Sequence, residues 1–108
     1  MTSSAPRFSV ITPCHNTGRL ITDAIRSLQR QSLSNWEMIV VDDGSSDESP
    51  AIVADWALAD PRIRFVPLPA NRGAAAARNI GIDLARGDYV CFLDADDVFA
   101  GDALATFE

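Results

Sequence analysis

Along the chain, short runs of apolar residues alternate with stretches in which apolar positions return every three or four residues. The first run, Phe8 to Thr12, precedes Leu20, Ile21, Ala24, Ile25 and Leu28 at helical spacing, and the second, Glu37 to Val41, precedes Ile52, Val53, Trp56 and Ala57. A third, Ile63 to Val66, leads to an alanine-rich segment from about Ala74 to Ala85 with Ile80 and Leu84 on one face; Tyr89 to Leu93 is the fourth. Continuous apolar runs fit buried strands and the three-to-four spacing fits one face of a helix, so the pattern predicts strand and helix in alternation. Such alternation forms a parallel α/β sheet, because joining parallel strands takes a crossover of helical length. Runs one, two and four are nearly continuous in apolar residues, as strands buried on both faces are, whereas Arg62-Ile63-Arg64-Phe65 alternates and suits an edge. The expected strand order is 3-2-1-4. Right-handed crossovers then place a topological switch point between strands one and four, where Pro13-Cys14-His15-Asn16 faces Asp94-Ala95-Asp96.

Polar residues gather where the apolar runs stop. Asp94-Ala95-Asp96-Asp97 follows the fourth run directly, and Asp42-Asp43-Gly44-Ser45-Ser46-Asp47 follows the second, so two strands deliver acids to one rim. At about 5 Å and an effective dielectric near ~20, two like charges repel by about 3 kcal/mol, and crowding of this kind calls for a cation. A divalent ion shared with substrate phosphates removes that cost. Asp42-Asp43-Gly44-Ser45 also reads as a turn into a helix beginning near Ser49-Pro50, with proline at its first position. At least one of its acids serves that turn, and one is a candidate to accept hydrogen bonds from a base or ribose. Asn71-Arg72-Gly73 leads into the third helix, whose free amides favour an anion; the alternative is a plain left-handed turn at Gly73. Arg78 lies where that alanine-lined helix turns polar, and is either an ordinary surface residue or, through close helix packing, aimed at the crevice. His15 follows Pro13 at the end of strand one, where its ring stacks on a base or stands in the loop without a role.

Composition narrows the choices. A chain of 108 residues, 47% hydrophobic and 22% charged, suits one domain with a real core, preceded by a frayed segment over residues 1–7. A formal net charge of −6 argues against general nucleic-acid binding but leaves a metal-bridged polyanion open. Every basic residue is arginine, so no lysine is present to form a Schiff base or clamp a phosphate. The sequence has no targeting pattern at its start and no run long enough to cross a bilayer, and the expected location is cytoplasmic. Cys14 and Cys91 lack metal-ligand spacing and read as free, packing thiols. The chain ends at Thr106-Phe107-Glu108, within a helix opened near Gly101-Asp102, which reads as a truncation. Strand four would then be an exposed edge with Val98, Phe99, Leu104 and Phe107 unpacked behind it, and self-association is expected.

Several chemistries suit an Asp-x-Asp pair after a strand. Asp94 and Asp96 could cap a helix. An EF-hand loop fails, because Val98, Phe99 and Ala105 stand where an acid or Asn, a Gly and a Glu are required. A phosphohydrolase with Asp94 as nucleophile and Asp96 as acid remains a remote alternative, without the lysine expected of it.

Together, Ser9-Val10-Ile11-Thr12-Pro13-Cys14-His15-Asn16, Val40-Val41-Asp42-Asp43-Gly44-Ser45-Ser46-Asp47, Asn71-Arg72-Gly73, Ala77-Arg78-Asn79-Ile80-Gly81 and Phe92-Leu93-Asp94-Ala95-Asp96-Asp97 resemble the family 2 glycosyltransferases of GT-A fold. The resemblance covers about residues 8 to 108 in order and spacing. It implies a Rossmann-like three-layer α/β/α arrangement and the N-terminal, nucleotide-sugar-binding part of an inverting, metal-dependent enzyme. It further implies a donor that is most often UDP-linked, a glycan, lipid or protein acceptor, and Mn²⁺ or Mg²⁺ bridging carboxylate and diphosphate. By the same resemblance Pro13 and His15 line the base and ribose pocket, Asp42 bonds the base and Arg78 approaches the nucleotide. Asp94, with Ala95 beside it, reaches the ribose or metal, and Asp96 ligates the metal. The general base belongs to an acceptor half expected beyond Glu108. Asp97 is a substitute in principle but better suits a helix start or a neighbour of the metal ligands. The chain is thus expected to bind donor without efficient transfer, and the full-length protein to work at the inner membrane face. A non-catalytic nucleotide-binding or scaffolding domain is the main alternative.

Overall fold

The computed structural model describes residues 6–107. Among them β1 (Phe8–Cys14), α1 (Leu20–Gln29), β2 (Trp36–Asp42), α2 (Ser49–Ala59), β3 (Ile63–Pro67), α3 (Ala74–Leu84), β4 (Tyr89–Phe92) and α4 (Ala103–Phe107) follow one another. The four strands form one parallel sheet in the order β3-β2-β1-β4, as the alternation predicts. Val10 lies opposite both Met38 and Cys91, and Val40 opposite Phe65.

Side chains alternate across a strand, and the two faces carry separate cores. Val10, Met38 and Val40 pack with Ile21, Ala24, Ile25 and Leu28 of α1 and Val53 of α2. On the opposite face Ile11, Ile39 and Val41 pack with Ala77 of α3. The result is the three-layer, Rossmann-like arrangement, with α1 and α2 on one side and α3 on the other. Each fully buried Ile, Leu or Val contributes about 1.5–3 kcal/mol, so the central strands carry much of the stability. Proline in the first turn of α2 costs no helical hydrogen bond. α3 lies close on β1, because a Cβ at Gly81 would collide with Ile11 Cγ2.

The structure departs from the sequence reading at its margins. β1 and β2 run two and one residues further than expected, to Cys14 and Asp42, which brings the rim residues under strand geometry. β4 is apolar without being buried: Tyr89, Val90 and Phe92 are 52%, 42% and 47% exposed, since β4 is the outer strand beside β1. Its apolar content reflects a surface that no described element covers. Leu104, expected to be unpacked, is fully buried in the α1-side core, and Phe99 packs against it. The reason is the buried side chain of Gln31, which donates to Gly101 O at 3.0 Å and accepts from Leu104 N at 3.0 Å, folding the last segment over the end of α1. Val98 is exposed as expected, and the side chain of Phe107 lies outside the described residues. Residues 1–5 of the expected frayed segment also lie outside them, while Arg7 N donates to Asn35 O at 2.8 Å and its carbonyl accepts from Tyr89 N. No helix among the described residues is long and apolar enough to cross a membrane. Both cysteines are free, and burial pushes each thiol above its ordinary pKa.

Candidate functional site

Strand parity decides which rim residues meet. Ile11, Ile39 and Val41 face α3, and counting on by twos leads to Pro13 near the end of β1 and His15 just past it, Asp43 past β2, and Asp94 and Asp96 past β4, where Phe92 pairs with Ile11. These residues, with Thr17, Asn71, Gly73, Ala74, Arg78 and the Ala95 backbone, line a cleft of about 380 Å³ at the carboxyl ends of the strands. Opposite-parity neighbours turn to the α1 side. Cys14 and Ala95 are buried in that core at 1% and 2% exposure, and Ala95 anchors a peptide whose flanking carboxylates stand in solvent.

The two acids of the Asp42-Asp43 pair therefore do different work. Asp42 is buried, and its carboxylate accepts from Ser45 N at 3.1 Å and Ser45 Oγ at 2.7 Å, holding the turn that enters α2. It does not line the cleft, so the structure does not bring it together with the other candidate residues. Asp43 does line it: its carboxylate accepts from Arg72 N at 2.7 Å and Gly73 N at 2.9 Å, tying the loop before α3 to the end of β2. Close approach of that loop is possible because Gly44 has no side chain; a Cβ there would lie 2.5 Å from Asn71 N.

Gly73 takes φ of 97° ahead of α3, no side chain caps the helix start, and Gly73 and Ala74 line the cleft, so the N-terminal end of α3 lies at the site. Arg78, one turn further on, reaches the cleft with a guanidinium Nη2 3.9 Å from Asp94 Oδ1, both groups being part-exposed. Across from it, carboxylate oxygens of Asp94, Asp96 and Asp97 all lie within 4.8 Å of one another. The Asp94 carbonyl accepts from Asp97 N at 2.9 Å, and that turn folds the third acid back toward the first. An exposed, all-oxygen, anionic set suits a hard divalent cation such as Mn²⁺ or Mg²⁺, so the residues present fit the implied metal. His15 Nδ1 lies 2.8 Å from Asp43 O.

Of the candidate residues, Pro13, His15, Arg78, Asp94, Ala95 and Asp96 converge on one cleft and Asp42 lies beneath its rim. Asp43 and Asn71 belong to the cleft, and Asp97, read from sequence as a helix start or a neighbour of the metal ligands, belongs to its acidic cluster. Parity was the available signal for Asp43, since it continues the Ile39 and Val41 face that packs on Arg78's helix.

The family model described as glycosyl transferase family 2 matches residues 9–107. A glycosyltransferase of Haemophilus influenzae described as uncharacterized is 43% identical over 99 residues, which is 92% of this chain and 40% of the relative. The amylovoran biosynthesis glycosyltransferase AmsB of Erwinia amylovora is 41% identical over 90% of this chain and 33% of its own length. The chain thus spans less than half of these relatives. Among solved structures, TarS 1-349 of S. aureus in complex with UDP-GlcNAc superposes with a TM-score of 0.86 at 32% identity, covering 94% of this chain and 30% of that one. The mannosyltransferase PcManGT of Pyrobaculum calidifontis, in complex with GDP-Man and Mn²⁺, superposes at 0.83 with 30% identity over 95% of this chain and 31% of its own. With the GT-A arrangement of strands, the family match over nearly the whole chain and relatives of this identity, the chain belongs to glycosyl transferase family 2.

Proposed function

We propose that residues 8–108 form the donor-binding part of an inverting, metal-dependent glycosyltransferase that takes a sugar from a nucleotide donor, UDP-linked in the first instance. The observation that carries this reading is the cleft itself, in which a cation-ready acidic cluster faces an arginine and the N-terminal end of α3 across a nucleotide-sized space. Neighbours holding UDP-GlcNAc and GDP-Man with Mn²⁺ support it.

In this reading Pro13 and His15 wall the base and ribose, and Asp43, which lines the cleft where Asp42 does not, presents a carboxylate to the base. Arg78 and the first amides of α3 receive the diphosphate, whose charge the helix end favours. Asp94 and Asp96, joined by Asp97, would hold Mn²⁺ or Mg²⁺. Such an ion, when bound, neutralises charge on the departing diphosphate. With Arg78 already beside Asp94, these side chains hold the leaving group in place before the anomeric bond breaks. The base that deprotonates the acceptor hydroxyl, and the acceptor site for a glycan, lipid or protein, are assigned outside these 108 residues. The relatives' greater length supports this, and a biosynthetic glycan product is in keeping with the amylovoran biosynthesis relative.

Calorimetric titration of the chain with UDP, GDP and dTDP, each with and without Mn²⁺, tests the reading. Metal-dependent binding of a nucleotide is expected; metal-independent binding, unchanged in Asp96→Ala, would favour the scaffolding alternative. Incubation with a UDP-sugar and generic acceptors is expected to give no efficient transfer, and metal-dependent transfer by these residues alone would overturn the placement of the base.

A further inference from the structure

Resting on that donor-binding reading, we propose that Asn16 is a positioning residue of the cleft, which holds His15 in one orientation and one tautomer. Asn16 has φ of 51°, a left-handed conformation that asparagine tolerates better than most residues bearing a Cβ. From there its side chain reaches the next loop: Oδ1 accepts from Ser46 N at 2.8 Å and Asp47 N at 3.3 Å, while Asn16 N donates to Ser45 Oγ at 2.9 Å. Backbone N–H groups only donate, which fixes the amide oxygen toward them and turns Nδ2 to His15, 3.3 Å from Nε2.

The other ring nitrogen meets a group of opposite character. Nδ1 lies 2.8 Å from the carbonyl oxygen of Asp43, which only accepts. The proton of the ring therefore sits on Nδ1, and Nε2 accepts from the Asn16 amide. Asn71 Nδ2, 3.2 Å from each ring nitrogen, closes the side between them. His15 and Asn16 are both exposed, so hydrogen bonds rather than burial hold the ring. An imidazole free in water favours the opposite tautomer, with its proton on Nε2. His15 thus enters the cleft with both ring nitrogens engaged by protein groups, and it serves as a fixed wall joined to two loops. Asn16 supplies the link between that wall and the turn at Ser45-Ser46-Asp47, without a side-chain place in the cleft lining itself.

The chain has one histidine, so a long-range nitrogen–proton NMR correlation reads this ring without ambiguity. Above neutral pH the wild type is expected to give the Nδ1–H pattern. Asn16→Gly keeps the left-handed backbone and removes the amide; Asp43 O and Asn71 Nδ2 stay at the ring, so the variant is expected to mix in the Nε2–H form alongside Nδ1–H rather than to replace it, and to weaken binding of a UDP-sugar roughly tenfold, the equivalent of one lost hydrogen bond. Asn16→Asp keeps an acceptor for Ser46 N and Asp47 N but places an acceptor in place of the donor at Nε2, so it should recover the wild-type unfolding midpoint and move the ring toward the Nε2–H form. An unchanged Nδ1–H pattern in Asn16→Gly, or in Asn16→Asp should the glycine variant fail to fold, would overturn the proposal. The NMR readout needs no nucleotide: a wild type that binds no UDP-sugar but has a locked ring, released in these variants, would remove the donor reading and leave the positioning of His15 standing.

Discussion

Asp42 and Asp43 differ by one position and face opposite sides of the sheet, and that single step in parity separates a turn-forming carboxylate from one in the cleft. Asp43→Ala leaves the amides of Arg72 and Gly73 without their buried partner; a loss of about 1–3 kcal/mol in urea unfolding is expected, with weakened nucleotide binding. Asp42→Ala should cost about 1 kcal/mol through the Ser45 turn and change nucleotide affinity much less, which titration of both variants would check. The acidic pair was legible in the sequence; its division of labour was not, because a sequence gives spacing but not where a strand ends. At the far side of the molecule, hydrogen bonds from the Arg62 side chain, aided by Arg62 N and Gln29, hold the Asp60 carboxyl at about 2, below its usual 3.8. A depressed carboxyl pKa stabilises the fold above the usual value and loses that contribution as pH falls through the folded one. About 2 kcal/mol should disappear between pH ~4 and ~2 in wild type, and Asp60→Asn should flatten that part of the profile.

At the scale of elements, α3 matters most for the cleft, because it carries Arg78 and its N-terminus lies there. Its position depends on Gly81, whose missing side chain lets the helix rest on Ile11. Gly81→Val should push α3 outward and cost about 1–3 kcal/mol or more, reducing nucleotide affinity although residue 81 touches no ligand. The alternation of apolar runs was enough to read the strand order, since right-handed crossovers leave few ways to wind four parallel strands. Burial of β4 and the place of Leu104 were harder, because apolar content says that a residue wants cover and not which element supplies it. For Leu104 the answer was Gln31, a polar residue that the hydrophobic pattern passes over.

For the molecule as a whole, β4 leaves one edge of the sheet unpaired by any described strand, with Tyr89, Val90 and Phe92 exposed beside it. Antiparallel pairing of two copies along this edge would satisfy both backbones at once, and self-association of the chain in solution is our proposal. Light scattering should give a mass above the 11.6 kDa monomer at micromolar concentration, returning toward it in Val90→Lys; a wild-type monomer would count against the pairing. The family was readable because its motifs sit where a parallel sheet must end its strands, whereas the sugar and acceptor leave no such mark in these residues. The central claim is that the acidic cluster and the cleft bind nucleotide through a metal. Thermal unfolding with UDP, with and without Mn²⁺, in wild type and Asp96→Ala tests it most directly. Ligand at about 100 times its dissociation constant adds roughly 2.7 kcal/mol, a rise of several degrees for a domain of this size. The expected result is a rise that needs Mn²⁺ and vanishes in Asp96→Ala; a rise of equal size without the metal, or in the variant, would contradict the account.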